Sequence, residues 1–394
     1  MNPFKHCSNI LYFLLAAAMF LSGCQSVEEN KKAENQTTAP AGKPPAVVQR
    51  KYNDIARFIA GLPPEEGSNL AEASGKPAWK KYSAAFDKNW SSFDSTKISV
   101  MRRWASEQFP GPGSDTSTVF YPFGGPDFLY AFTFFPSAGK YVLVGLEPVG
   151  TVPDPAVMSP DSMDQFFSAV DRSLNTVLSL SFFKFDNMKV DLKKEVDGAV
   201  PVLMIFLART ANRIDDLKAV EINEQGDIVP SDSSRTAGVG RKTVSGVEIT
   251  FETPESHSQK YVYYFSVNLE NEHLKKTPNF MSYLGKQGRV NTLVKSAEYL
   301  MYKSYFSDIR SAILERSVFI LQDDSGIPYR YFDHEKWDVG LYGVYSRPID
   351  MFKEHVQEDL SKEYKEGRLV KPLPFGIGYN WRQGHSNLLA ARKK

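Results

Sequence analysis

The chain has 394 residues, 47 Lys and Arg against 46 Asp and Glu, two Cys, and 42% hydrophobic and 13% aromatic side chains. A balance this close to neutral gives no basic field to steer the chain to nucleic acid, and two cysteines are too few for a disulfide framework. The apolar content suits a body that buries one or two large cores.

In chain order, Lys5 and His6 form a short positive region and Ile10 to Phe20 an uncharged apolar run of 11 residues. Leu21-Ser22-Gly23 then brings small residues up to Cys24. A run of that length is too short to cross a bilayer as a helix, which takes about 20 apolar residues, so it reads as a targeting segment. The segment resembles the lipobox signal peptide of bacterial lipoprotein precursors. That resemblance implies diacylglyceryl transfer to the Cys24 thiol, cleavage before Cys24 and, in many bacteria, acylation of the freed amine. Two or three acyl chains, each buried CH₂ contributing about 0.8 kcal/mol, meet the requirement for stable anchoring. The membrane is therefore the first predicted partner. Gln25 stands where an Asp resembles an inner-membrane retention signal, which implies the periplasmic face of the outer membrane in a Gram-negative envelope. In a Gram-positive cell the motif implies the outer face of the plasma membrane.

Cys7 falls in the removed segment, so the mature chain has no thiol for a disulfide, a thiolate metal site or a nucleophile. Three regions are predicted: 1–23 as signal peptide, 24–48 as disordered tether, and 49–394 as a globular α+β body with a potential division into two lobes near 151–160. The tether is polar and Pro-rich, cannot offset its ordering entropy, and as flexible coil spans about 25–30 Å.

Within the body, Lys51 to Leu62 and Trp79 to Gln108 read as helices, the second with Trp79, Tyr82, Phe86 and Trp90 at helical steps. They predict a helical N-terminal layer. Strands are predicted at Ser117 to Tyr121, Asp127 to Phe135 and Lys140 to Leu146, the last two joined as a hairpin through Pro136 to Gly139. Ser159-Pro160-Asp161 marks a helix start, with Met163, Phe166, Val170, Leu174 and Val177 on one face. Strands return at Pro201 to Ala208, Ala219 to Asn223, Val244 to Glu252 and Lys260 to Leu269, with a long loop at Ser231 to Gly240. Helices follow at Thr292 to Lys303 and Asp308 to Arg316. Strands are predicted at Val318 to Leu321, Tyr329 to Phe332 and Trp337 to Tyr345, then a helix from Ile349 to Tyr364. Strands that outnumber helices and run in blocks predict α+β, with an antiparallel or mixed sheet packed against helices.

Three catalytic spacings fail on context. Ser137-Ala-Gly-Lys140 has the S-x-x-K spacing of penicillin-binding enzymes but sits in a predicted turn. Gly384-His-Ser386-Asn-Leu388 lacks the last glycine of a nucleophile elbow and reads as a terminal loop. His334-Glu335-Lys-Trp-Asp338 lacks the second His of a zincin. His355 and Asp359, four apart, read as a solvated helix face, and no metal or cofactor is predicted.

Two groups keep a functional reading. The acidic and His cluster from Gln322 to Asp338 offers Asp323, Asp324 and His334 as acid/base candidates, against ordinary turn chemistry for Asp-Asp-Ser-Gly. Asp127, Tyr329, Arg330, Tyr379, Trp381 and Arg382 are ligand-binding candidates, since aromatic rings beside polar groups stack on sugars or grip peptides when exposed. Asp127 is equally read as a turn cap, and the aromatics as core. The balance favours a non-catalytic binding or structural lipoprotein of the cell envelope, with a protein, peptide or glycan partner. The alternative is an envelope hydrolase or lyase using residues 323–338.

Overall fold

Ten strands form one mixed sheet in the order β4-β3-β5-β6-β2-β1-β7-β8-β10-β9. The computed structural model describes residues 46–109, 117–180, 196–231, 243–367 and 370–394. Cys24, the predicted signal peptide, the predicted tether up to residue 45, and most of the loop predicted at 231–240 lie outside them; residues 46–48, predicted as tether, instead open the helix Ala46–Ile59. The central strands β6 (Ser256–Ser266), β2 (Lys140–Gly145), β1 (Thr118–Tyr121), β7 (Val290–Val294) and β8 (Ser317–Gln322) run parallel. Antiparallel strands flank them: β5 (Val244–Thr253), β3 (Arg213–Ile222) and β4 (Ile228–Pro230) on one side. On the other lie β10 (Asn387–Lys393) and β9 (Trp337–Gly343). Strands from both sides of residues 151–160 thus share the sheet.

Alternation along each strand divides the apolar side chains between two cores. Val119, Tyr121, Tyr141 and Leu143 face one core, which the helices Ala46–Ile59, Pro77–Phe93, Ser99–Gln108, Phe128–Phe134, Pro160–Leu180 and Ala199–Arg209 cover. Phe120, Val142, Val144 and Ile320 face the other, under Asn271–Lys276, Pro278–Lys286, Ser307–Arg316 and Glu358–Glu366. Burial on both faces explains the continuous apolar runs Val119–Tyr121, Tyr141–Val144, Tyr261–Phe265 and Val318–Leu321 in the central strands. The fold is α+β with a helical N-terminal layer. The helix start at Ser159 is present, with Ser159 Oγ accepting the Ser162 N–H at 3.2 Å.

Several predicted elements are corrected. Asp127 to Phe135 is not a strand: Phe128–Phe134 is a helix, capped by Asp127, whose carboxylate accepts the Tyr130 N–H at 3.3 Å. All seven of its residues are buried, so the helix has no polar face to mark its period. Pro136 to Gly139 therefore joins this helix to β2, which pairs parallel with β1. Pro201 to Ala208 belongs to the helix Ala199–Arg209 for the same reason, its 11 residues all being buried. Residues 292–303 are the end of β7, a left-handed turn and the 3₁₀ turn Leu300–Tyr302, not a helix. Tyr329–Tyr331 is a 3₁₀ turn, and the helix predicted from Ile349 to Tyr364 is broken into Asp350–His355 and Glu358–Glu366. The terminal loop at Gly384 to Leu388 leads into β10, which lies inside the sheet between β8 and β9.

Candidate functional site

The strand order reverses beside β1. The chain steps from β1 outward to β2 and β6, then returns to β7 on the opposite side of β1. In sheets with parallel strands, ligands bind in the crevice left at the carboxyl ends of the strands at such a reversal. Here a cleft of about 250 Å³ opens at that point. Its wall is built by the residues that follow each strand: Phe123 and Gly125 after β1, Leu146 and Glu147 after β2, Val267 to Glu270 after β6, and Ser296 to Glu298 after β7.

The backbone around the cleft is unusual. Six non-glycine residues among those described have positive φ, and four of them, Phe123, Ser296, Glu298 and Tyr299, lie at this edge. Each such conformation costs of order 1–3 kcal/mol and persists only where the surroundings over-determine it. The surroundings are visible. The Ser296 N–H donates to Asp323 Oδ2 at 2.9 Å, and the Ala297 N–H to Ser325 Oγ at 2.8 Å. Tyr379 Oη accepts the Glu298 N–H at 3.2 Å and donates to the Ser296 carbonyl at 3.0 Å. Tyr299 Oη donates to Asp324 Oδ2 at 2.5 Å.

Behind this turn lies a buried charged network. Lys295 Nζ is 3.0 Å from Asp127 Oδ2, with both side chains 2% exposed. The same ammonium sits 3.8 Å from the centre of the Tyr130 ring, and Tyr121 Oη donates to Asp127 Oδ2 at 2.9 Å. Burial and the neighbouring Asp127 carboxylate push the Tyr121 hydroxyl well above its usual pKa. Asp323 is raised by burial, opposed by its Ser325 and Ser296 hydrogen bonds and by Lys295. Burial first, then the adjacent Asp323 charge, pushes Asp324 up to about 7, against the bonds from Tyr299 and from Asn387 Nδ2, the latter at 2.9 Å. Lys295 thus faces Asp127 from the end of β1 and Asp323 from the end of β8.

The cleft itself contains a different carboxylate. Glu147 is half-buried: Tyr264 Oη lies 2.8 Å from its main-chain carbonyl and 3.1 Å from Oε2, the N–H groups of Leu146 and Glu147 donate to its carboxylate, and desolvation nonetheless raises its pKa. No Lys, Arg or His lines the cleft, and among the described residues no cation pairs with Glu147. Two glycines make room for it: a Cβ on Gly145 would lie 2.2 Å from Glu147 Oε2, and one on Gly125 3.0 Å from it. Ser296 Oγ, at the cleft wall, is buried with no hydrogen-bond partner among the described residues.

A wider cleft of about 460 Å³ opens at the opposite edge of the sheet, beside Trp90 and Arg209. Its Arg209 guanidinium donates to Asp87 at 2.9 Å and to the Ala60 carbonyl at 2.7 Å, while Nη2 is buried without a hydrogen-bond partner among the described residues.

The structure brings Asp127, Asp323, Asp324 and Tyr379 together around Lys295 and the 296–299 turn. It does not bring His334 to them: His334 is exposed, edge-on to Tyr329 at 5.4 Å. Arg330 is exposed beside Tyr331, and the Tyr329 N–H donates to Gln357 Oε1 at 2.7 Å. Trp381 lies under Lys97 and Arg382, with centroid distances of 5.6 and 5.2 Å. Lys295, Ser296, Glu147 and Asn387 were not singled out in the sequence. Lys295 and Ser296 directly follow parallel β7 and Glu147 closely follows parallel β2, whereas Asn387 opens antiparallel β10; of these strands only β2 is legible in the sequence. Among the described residues no group of three or more His, Cys, Asp or Glu is placed to hold a metal ion, and no helix is long and apolar enough to cross a membrane. The chain matches no protein-family model, no curated protein and no solved structure.

Proposed function

We propose that this is a lipid-anchored protein of a bacterial cell envelope whose body binds a small ligand, without turning it over, in the cleft at the carboxyl ends of β1, β2, β6 and β7. The observation that carries the binding reading is the coincidence of that cleft with the reversal of strand order and with four strained backbone positions. The non-catalytic reading rests on the acid/base candidates: both carboxylates of Asp323 and Asp324 are buried and bonded into the wall of the turn, and His334 faces solvent elsewhere. The anchor rests on Leu21-Ser22-Gly23-Cys24, with Gln25 favouring the periplasmic face of the outer membrane in a Gram-negative host.

Each half has its own test. Labelling cells with a palmitate analogue should mark the wild type and leave Cys24→Ala unmarked; equal labelling would remove the anchor. A crystallographic fragment screen should concentrate bound fragments in the switch-point cleft, and fragments gathered at the Trp90 and Arg209 edge instead would move the site there.

A further inference from the structure

A carboxylate taken out of water without a cation is costly, and natural chains usually pair it or let it protonate. Elsewhere at this edge the rule is followed, with Lys295 set between Asp127 and Asp323. Glu147 breaks it. Its carboxylate lies in a wall whose other members include Phe123, Val144, Leu146, Val267 and Leu300, and the wall brings no basic side chain to it. The position is built: Gly125 and Gly145 leave the space that its oxygens occupy, the Leu146 and Glu147 N–H groups donate to the carboxylate, and Tyr264 Oη lies 3.1 Å from Oε2 and 2.8 Å from the Glu147 carbonyl. Glu270 and Glu298 also line the cleft, so every charged side chain of the lining is acidic.

We infer that the ligand of this cleft is a primary ammonium carried on a short apolar stem, with the ammonium seated on the Glu147 carboxylate and the stem against the apolar wall. The inference rests on the cleft being the ligand site. An ammonium supplies the missing counter-charge and up to three N–H donors for the Glu147 carboxylate. A carboxylate or phosphate ligand would meet like charge, and a neutral alkane would cover the half-buried carboxylate without supplying a counter-charge. The same chemistry is carried by a free alkylamine and by a lysine side chain on a peptide.

The test is calorimetric titration of the full-length chain in detergent with n-pentylamine, 1-pentanol and pentanoate, which share a stem and differ in charge. Nα-acetyl-lysine methylamide serves as the peptide-borne ammonium. Wild type should bind one or both ammonium probes more tightly than the alcohol by about tenfold, equivalent to about 1.4 kcal/mol, with pentanoate weaker still. Glu147→Gln should abolish that preference while still binding the alcohol, and Leu146→Trp, which narrows the mouth, should weaken all probes. A tighter lysine derivative assigns the ammonium to a peptide and a tighter pentylamine to a free amine; either supports the inference. Equal binding of the three pentyl probes, lost in Leu146→Trp, would overturn the ammonium and keep the cleft as the site. No binding of any probe in the millimolar range would overturn both.

Discussion

Asp323 Oδ2 accepts the backbone N–H of Ser296 at 2.9 Å, so the carboxylate that ends β8 holds the left-handed turn that ends β7. Its other oxygen accepts the Ser325 N–H at 3.0 Å, which leaves the side chain fully committed. Asp323→Ala strands both N–H donors in a buried site and should cost about 2–5 kcal/mol, read as a lowered urea midpoint with an unchanged slope. Gly378→Ala should act on the same contact, since its Cβ would fall 2.2 Å from Asp323 Oδ2 and its φ is +69°. The two substitutions should therefore be less than additive in a double-mutant cycle; strict additivity would separate them.

Lys295 and Asp127 tie β7 to the helix after β1. Lys295→Met leaves a buried, unpaired carboxylate and should cost about 3–5 kcal/mol. Adding Asp127→Asn should recover part of that loss, because the neutral amide keeps an oxygen for the Tyr130 N–H that caps the helix. A double variant less stable than Lys295→Met by the full cost of Asp127→Asn would refute the pairing.

Asp324 sets a pH dependence whose sign is fixed. Its ordinary value is 3.8 and its folded value about 7, so between these the folded chain retains a proton that the unfolded chain has released. Unfolding free energy contributed by this group therefore falls as pH rises through that window and is level above it. Asp323 and Glu147, also raised by burial, tilt the curve the same way. Asp324→Asn should flatten the dependence, making the variant relatively more stable near pH 8 than near pH 5 when urea midpoints are compared with wild type. An unchanged slope would mean that Asp324 does not titrate in this range.

Outer elements with a polar face are legible in the sequence, such as the helix opening at Ser159, because burial on one side leaves a period. Phe128–Phe134 and Ala199–Arg209 are not, because each is buried on every side and its aromatic and β-branched residues favour a strand when packing is ignored. The error at residues 292–303 had a functional consequence. Reading them as a helix hid the end of β7, and with it Lys295 and Ser296. At Asp127 the sequence allows both a turn cap and a ligand-binding carboxylate; the structure shows the cap and adds the ion pair. The acidic run from Asp323 was visible, but sequence spacing placed His334 beside it, whereas the 3₁₀ turn Tyr329–Tyr331 carries the chain away to the surface. Glu147 had no local motif at all, since what distinguishes it is the absence of a cation brought from elsewhere in the chain.

The glycine cradle makes a prediction independent of charge. Gly145→Ala should displace the Glu147 carboxylate and weaken pentylamine binding about as much as Glu147→Gln does. Gly75→Ala, whose Cβ meets nothing within 4 Å, should leave binding unchanged in the same titration. Equal effects of the two alanines would show that the cradle does not position Glu147.

The most direct measurement is the titration of the Glu147 side-chain carboxyl carbon by ¹³C NMR, assigned through Glu147→Gln, with and without saturating n-pentylamine. Without amine its midpoint should lie above the ordinary glutamate value, because it is buried without a cation. With amine it should drop, as the ammonium supplies that cation. A midpoint in the ordinary range that pentylamine does not move would contradict the account.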